Sequence, residues 1–517
     1  MHGLDFLDYV VVAVFMLGML GMGVYFARQQ ESPEDYFVGG RKMPWLAVGL
    51  STLATLTSTI TYLAVPGEVI KNGIGYFTQL ASAPFIVLFL WFITFPFLLR
   101  LRLTSAYEYL EHRFDYRVRL LGAALFGCIG IGWMATVVFT ASDAMAQMTG
   151  WPVVWVVLGV GGIGIAYTTM GGIRADIWTD VVQAVIMFAG ALFTIGFVMW
   201  STRSGPADWW QDASQVQHTQ VPLLDLNPFT RVSTIGVALN AFAWHVCTSN
   251  ASQVAMQRFF TMPSVSAARK SSLVNAIANA LLSLLLALCG VALFSYYFRQ
   301  PHLLPTTLDT RTGEGADRIF PHFIAHQLPP AAGGLLISAL LAAAMSTIDS
   351  GVNSLSAVLT VDVFRRRGGF ADAKEELARA RQFTIAFGIL ITFLALAVGQ
   401  LKASRGNSII DILPAAFNWG VGPLGGLFFA GMFLPRCRPA AAIAATLVGS
   451  VVALVTALLK PVFDIPFSFA WVTPYGAGVT VLLAWVFSEV YPAPETPVSW
   501  TWQQIVRQEE PGSASSD

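Results

Sequence analysis

The chain is 517 residues long, 55% hydrophobic and only 12% charged, with a mean hydropathy of +0.62. Soluble domains carry roughly 25% charged residues, so this composition excludes a globule coated for water and fits lipid as the solvent. The 30 lysines and arginines balance 30 aspartates and glutamates, which excludes the basic excess of a nucleic-acid-binding surface.

A spanning helix needs about 20 mostly apolar residues, and the chain offers about thirteen such runs. The first, 6–27, is too long for a signal-peptide core. Asp5 and Asp8 open it and Arg28 follows it, so it reads as a retained helix with its N-terminus outside. The second, 45–65, is crowded with hydroxyl and β-branched residues from Ser51 to Thr61. It reads either as packing polarity between helices or as a discontinuous helix whose freed carbonyls line a site. The third and fourth cover 76–99 and 121–148, with Asp143 expected at the outer interface. The fifth, 152–170, leads to the sixth, 176–202, which opens with MGGIRADIWTDVVQ (170–183). Asp176 is expected to be solvated or salt-bridged, and Asp180, one turn deeper, to be functional.

The seventh run, 233–257, carries Asn240, His245, Thr248, Ser249, Asn250, Ser252 and Gln253. That is too polar to face lipid along its length. An inverted repeat of about five plus five helices would put this run and the second in matching positions. The eighth covers 271–297, and the ninth, 331–363, contains LLAAAMSTIDSGVNSLSAVLTVD. Ser346, Asp349 and Ser350 share one helix face there. A carboxylate at such depth is costly and points to function, against the plainer reading of a hydrogen bond to a neighbouring helix. Runs at 382–400, 408–434, 438–459 and 467–490 complete the set. Residues 1–492 thus form one all-α transmembrane unit, and 493–517 a cytoplasmic tail expected to be disordered.

Charge distribution orients the chain. Connections on one side hold Arg28, Arg41, Lys42, Arg100, Arg113, Arg119, Arg174, Arg258, Arg269, Arg365 and Arg366 among most of the 30 basic residues. Positive charge stays inside, so the C-terminus is expected in the cytoplasm and the protein in the plasma membrane, the inner one of a Gram-negative cell. The polar connections are too short for a soluble catalytic domain. No HExxH or Cys/His metal spacing occurs, so an enzyme is not expected, and Cys128, Cys247, Cys289 and Cys437 read as packing residues. Repeated filter loops that would mark a channel are not visible.

Four segments together resemble the sodium/solute symporter family: LATLTSTITYLAVPG at 53–67, TSAYEYLEHRFD at 104–115, MGGIRADIWTDVVQ at 170–183 and LAAAMSTIDSGVNS at 341–354. The likeness looks greatest to the sialic-acid branch. It implies the leucine-transporter fold: one helix, a ten-helix core of two inverted repeats, then two more helices. It also implies alternating access and sodium as the coupled ion, with a small solute and the lipid bilayer as partners and no nucleic acid or obligate protein partner. The family's common sodium site matches Ala54, Thr57 and Ala343 through backbone oxygens, and Ser346 and Thr347 through hydroxyls. A second cation site resembles Asp180, Ser346, Asp349 and Ser350, although the sialic-acid branch has serine at the position of Asp349. Side by side, Asp180 and Asp349 would form a coupled carboxylate pair that holds a second sodium or a proton.

Solute positions match at Ser58, Thr61 and Gln79. The arginine that would clamp a sialate carboxylate falls at Trp133, whose indole cannot replace a bidentate guanidinium. Trp133 offers a flat face for a sugar ring, or else simply packs. Trp244, His245 and Asn418 are further pocket candidates. The expected activity is sodium-coupled symport of a small polar solute, with a sugar favoured. The alternative is sodium- or proton-coupled symport of a sugar acid or other monocarboxylate.

Overall fold

The computed structural model describes residues 4–27, 33–101, 103–221, 225–310, 315–405, 414–490 and 499–507. It is helical throughout its regular elements. Helix α1 is Phe6–Ala27. The second run is two helices, α2 (Trp45–Leu56) and α3 (Thr59–Asn72). Between them Thr57 (φ −96°, ψ 92°) and Ser58 (φ −84°, ψ 172°) are extended. The neighbouring threonines and serine are weak helix formers, and the discontinuous reading of this run is the one the backbone adopts.

The chain continues through a 3₁₀ segment, Gly73–Ser82, into α4, made of Ala83–Phe89, a π segment Leu90–Thr94 and Phe95–Leu101. Short α5 (Glu108–Arg113) precedes α6 (Tyr116–Thr149), which Asp115 caps through the amides of Arg117 and Val118. Helix α7, Val153–Thr202, is two limbs joined at Gly172, whose φ of 57° and ψ of −177° suit glycine alone. The seventh run is likewise two helices, α8 (Thr234–Ala251) and α9 (Gln253–Phe260), parted at extended Ser252. Then follow α10 (Val265–Arg299), α11 (Ala316–His326), and α12 (Ala332–Val358) with its π continuation Leu359–Arg365. The series ends with α13 (Ala373–Arg405), a π segment Pro414–Asn418, α14 (Trp419–Phe433), α15 (Pro439–Phe463), α16 (Val472–Val490) and α17 (Trp502–Arg507).

Among the described residues nine helices are long and apolar enough to cross a membrane. Of the other four runs, the second and fifth contribute only the shorter apolar helices Trp45–Leu56 and Val153–Ala166, the seventh is too polar along α8, and the start of the 408–434 run lies outside the described residues. Helix α12 is enclosed along nearly its whole length, by α7, α6, α1 and α13. Its hydroxyls and carboxylate therefore face protein rather than lipid. The tail differs from expectation. Residues 493–498 and 508–517 lie outside the described set, but α17 docks on the bundle. Trp502 Nε1 donates to Ile93 O at 2.9 Å, Arg100 Nη1 to Ile505 O at 3.0 Å, and Trp500 stacks on His112 at 4.5 Å. Two tryptophans and two aliphatics, Ile505 and Val506, give this stretch an apolar face that composition over the whole tail obscures.

Candidate functional site

The break after Leu56 leaves the last carbonyls of α2 without their helical amide partners. Two hydroxyls of α12 come to them. Ser346 Oγ lies 2.8 Å from Ala54 O and 3.2 Å from Ala343 O. Thr347 Oγ1 lies 3.0 Å from Thr55 O and 3.2 Å from Ala343 O. Ala54, Ala343, Ser346 and Thr347 are wholly buried. The structure thus gathers four of the five residues expected at the principal sodium site and adds the Thr55 carbonyl. Thr57 stands at the break, with its N–H bonded to Leu53 O. The chemistry suits a hard monovalent cation: neutral oxygens from carbonyls and hydroxyls, beside the negative end of a half-helix.

The four residues expected at a second cation site are distributed differently. Asp180, on the second limb of α7, accepts at Oδ2 from Ser51 Oγ (2.6 Å), Thr55 Oγ1 (3.1 Å) and Arg258 Nη2 (2.8 Å). Arg258 is wholly buried. It also donates from Nε to Ser51 Oγ (2.9 Å), from Nη1 to Val254 O (3.1 Å) and from Nη2 to Ser350 Oγ. Thr55 Oγ1 and Ser350 Oγ are 3.2 Å apart. Ser350 therefore joins the Asp180 cluster, whereas Ser346 serves the α2 carbonyls. Asp349 meets Thr168 Oγ1, on the first limb of α7, at 2.5 Å. Neighbouring side chains on a helix point about 100° apart, so Asp349 cannot share the direction of Ser350. The two carboxylates of the expected pair draw on different donors.

Arg258 is the residue that sequence reasoning missed. It follows a polar run and reads as a charge flanking the membrane. Because the seventh helix restarts at Gln253, Arg258 lies inside α9, in its last turn. The signal available was the pairing rule: Asp180 at membrane depth calls for a partner. Asp176 accepts from Asn353 Nδ2 at 3.2 Å and is also buried, so it is enclosed rather than solvated.

The solute candidates converge in part. A cavity is lined by Phe126, Ile129, Trp133, Trp244, Cys247, Thr248, Ala251, Ser252, Phe417, Val421 and Leu424. Trp133 and Phe417 rings lie 5.9 Å apart, and Trp244 Nε1 donates to Asn418 Oδ1 at 3.0 Å. His245 turns its Nδ1 to Ala241 O of its own helix at 2.8 Å. Ser58 sits in the α2/α3 break and Thr61 follows it on α3. Gln79 lies on the 3₁₀ segment. Among the described residues lining this cavity there is none of Ser58, Thr61, Gln79, His245 or Asn418, and no lysine or arginine.

Residues 36–449 match the family described as the sodium:solute symporter family. The chain belongs to that family. This symporter is 32% identical over 465 residues to the sodium/sialic acid symporter of Proteus mirabilis, covering 89% of this chain and 90% of the relative. It is 30% identical over 469 residues to the sodium/sialic acid symporter of Aliivibrio fischeri, covering 90% and 89%. Its fold superposes on the substrate-bound, outward-open structure of a Na+-coupled sialic acid symporter with a TM-score of 0.82. That match has 26% identity and covers 95% of this chain and 100% of the other. The transporter Mhp1, at 14% identity and a TM-score of 0.52, shares the fold alone. The expected leucine-transporter architecture is therefore present in this multi-pass symporter, which couples sodium to a solute.

Proposed function

We propose that this symporter takes up a small polar organic solute, a sugar by preference, with sodium held by Ala54, Thr57, Ala343, Ser346 and Thr347. The observation that carries this reading is the buried oxygen cluster where α12 hydroxyls meet the carbonyls freed at the α2/α3 interruption, with an aromatic cavity beside the α8/α9 interruption. Trp133 and Trp244 offer the flat walls a pyranose ring stacks on. Ser58, Thr61, Gln79, His245 and Asn418 lie outside the lining of that cavity and are proposed as further contacts for the solute's polar groups. A sodium-coupled sugar acid or other monocarboxylate is the second reading. The names of the relatives favour it, since they include sialic acid symporters and a sodium-coupled monocarboxylate transporter.

The charge bias supports an N-terminus outside and a C-terminus in the cytoplasm of a plasma-membrane protein. Purified protein in liposomes, offered labelled neutral sugars, sugar acids and monocarboxylates under an inward sodium gradient, tests the solute class. Sodium-dependent uptake of a neutral sugar supports the first reading, and strong selective uptake of sialic acid would contradict it.

A further inference from the structure

The segment 104–115 helped to mark the family, yet it takes no part in the sites above. Its first four residues touch two helices at once. Tyr107 Oη donates to Ala251 O at 2.9 Å, at the α8/α9 break. The Gln253 side chain, at the start of α9, accepts from Ala106 N at 2.7 Å and donates to Thr104 O at 3.1 Å. Ser105 Oγ accepts from Tyr107 N at 3.2 Å and directs its one hydrogen to Asp362 Oδ2 at 2.6 Å. Asp362 belongs to the π segment that ends α12, and Arg119 holds its other oxygen at 2.7 Å. Ser105, Tyr107, Gln253 and Asp362 are all buried.

Both ends of this connection lead to the transport sites. Helix α12 carries Ser346 and Thr347, roughly 23 Å along its axis from Asp362 at about 1.5 Å per residue. Ala251 and Ser252, at the other end, line the aromatic cavity. Symport requires that a cation bound on one helix changes the arrangement of another, because a ligand shifts an equilibrium only through differential contacts. The bonds to Ala251 and Gln253 depend on the geometry of the α8/α9 break, and the bond to Asp362 depends on where α12 ends. Tyr107 is fixed laterally by Phe126 and Phe428, at 5.8 and 6.1 Å between ring centroids. A shift at one end is therefore transmitted through a short, packed span.

We propose that residues 104–107 are a coupling strap: positioning residues that tie α12, which binds sodium, to the helix break beside the solute. This rests on the sodium-symport reading above. The test is hydrogen exchange on the purified protein in sodium or potassium, with no solute present. In the unmodified protein sodium slows exchange in both α12 and residues 253–260. Tyr107→Phe deletes one hydroxyl and keeps the ring. Gln253→Ala removes the amide pair, and if it misfolds Tyr107→Phe decides alone. In these variants sodium still slows α12, but its effect at 253–260 falls by about fivefold or more. A full sodium response at 253–260 in the variants overturns the strap, and so does equal loosening in both salts, the mark of a merely structural role. Absence of any sodium response in the unmodified protein removes the sodium reading itself, and the strap with it.

Discussion

At the scale of single residues, the oxygen cluster and the buried guanidinium have different physics. Ser346 and Thr347 contribute neutral oxygens to a small set, so each deletion removes a sizeable share of the ligands. Ser346→Ala and Thr347→Ala are each expected to weaken apparent sodium affinity about tenfold, the effect of roughly 1.4 kcal/mol, in sodium titrations of uptake. Unchanged titrations in both would discount this site. Arg258 acts instead as a fixed counter-charge. Arg258→Met leaves the Asp180 carboxylate buried and unpaired, which costs about 3–5 kcal/mol. Adding Asp180→Asn removes that charge, so the double variant is expected to unfold at a higher temperature than Arg258→Met alone. A single variant as stable as the unmodified protein would contradict the pairing. Trp133→Ala is expected to weaken solute binding far more than sodium binding, measured by the two titrations on one preparation.

At the scale of elements, the two interrupted helices make the site possible, and only one was legible as an interruption. The hydroxyl density of Ser51–Thr61 announced a weak helix, and Thr57 and Ser58 are extended there. The seventh run announced polarity but not a boundary, so Arg258 was placed on the wrong side of it. Asp349 misled in another way: its spacing from Ser346 gave a shared face, but the first limb of α7, not Asp180, stands opposite it. That limb is remote in sequence, and no local pattern encodes which neighbour a face meets. The tail helix α17 was hidden by the polar residues around it. Trp502→Ala should release it, seen as faster proteolysis near residue 500; unchanged cleavage would discount the docking. Around α5, burial disfavours the charge of Glu111, but Arg119 and Arg366 outweigh it and hold the carboxyl below its ordinary value of 4.5. A lowered carboxyl contributes stability above its unfolded pKa and loses it as pH falls through the folded one. Acid should therefore destabilise the protein progressively from about pH 4.5 downward, and Glu111→Gln should reduce that slope in thermal melts.

At the scale of the whole molecule, a lipid-solvated bundle encloses a polar helix, with one broken helix against that helix and another beside a cavity. Unwound backbone is tolerated at membrane depth only where protein or a site satisfies it. The first break meets that condition through hydroxyls of α12 and the second through Tyr107 of the segment before α5. A reporter fused beyond Arg507 should be active only in the cytoplasm, and activity outside would reverse the proposed orientation. The central claim is that a sodium gradient performs the work of accumulation. Its most direct measurement is solute accumulation in proteoliposomes under an inward sodium gradient, with and without a proton ionophore. Accumulation should need the sodium gradient and survive the ionophore. Equal accumulation driven by a proton gradient in sodium-free buffer would contradict it.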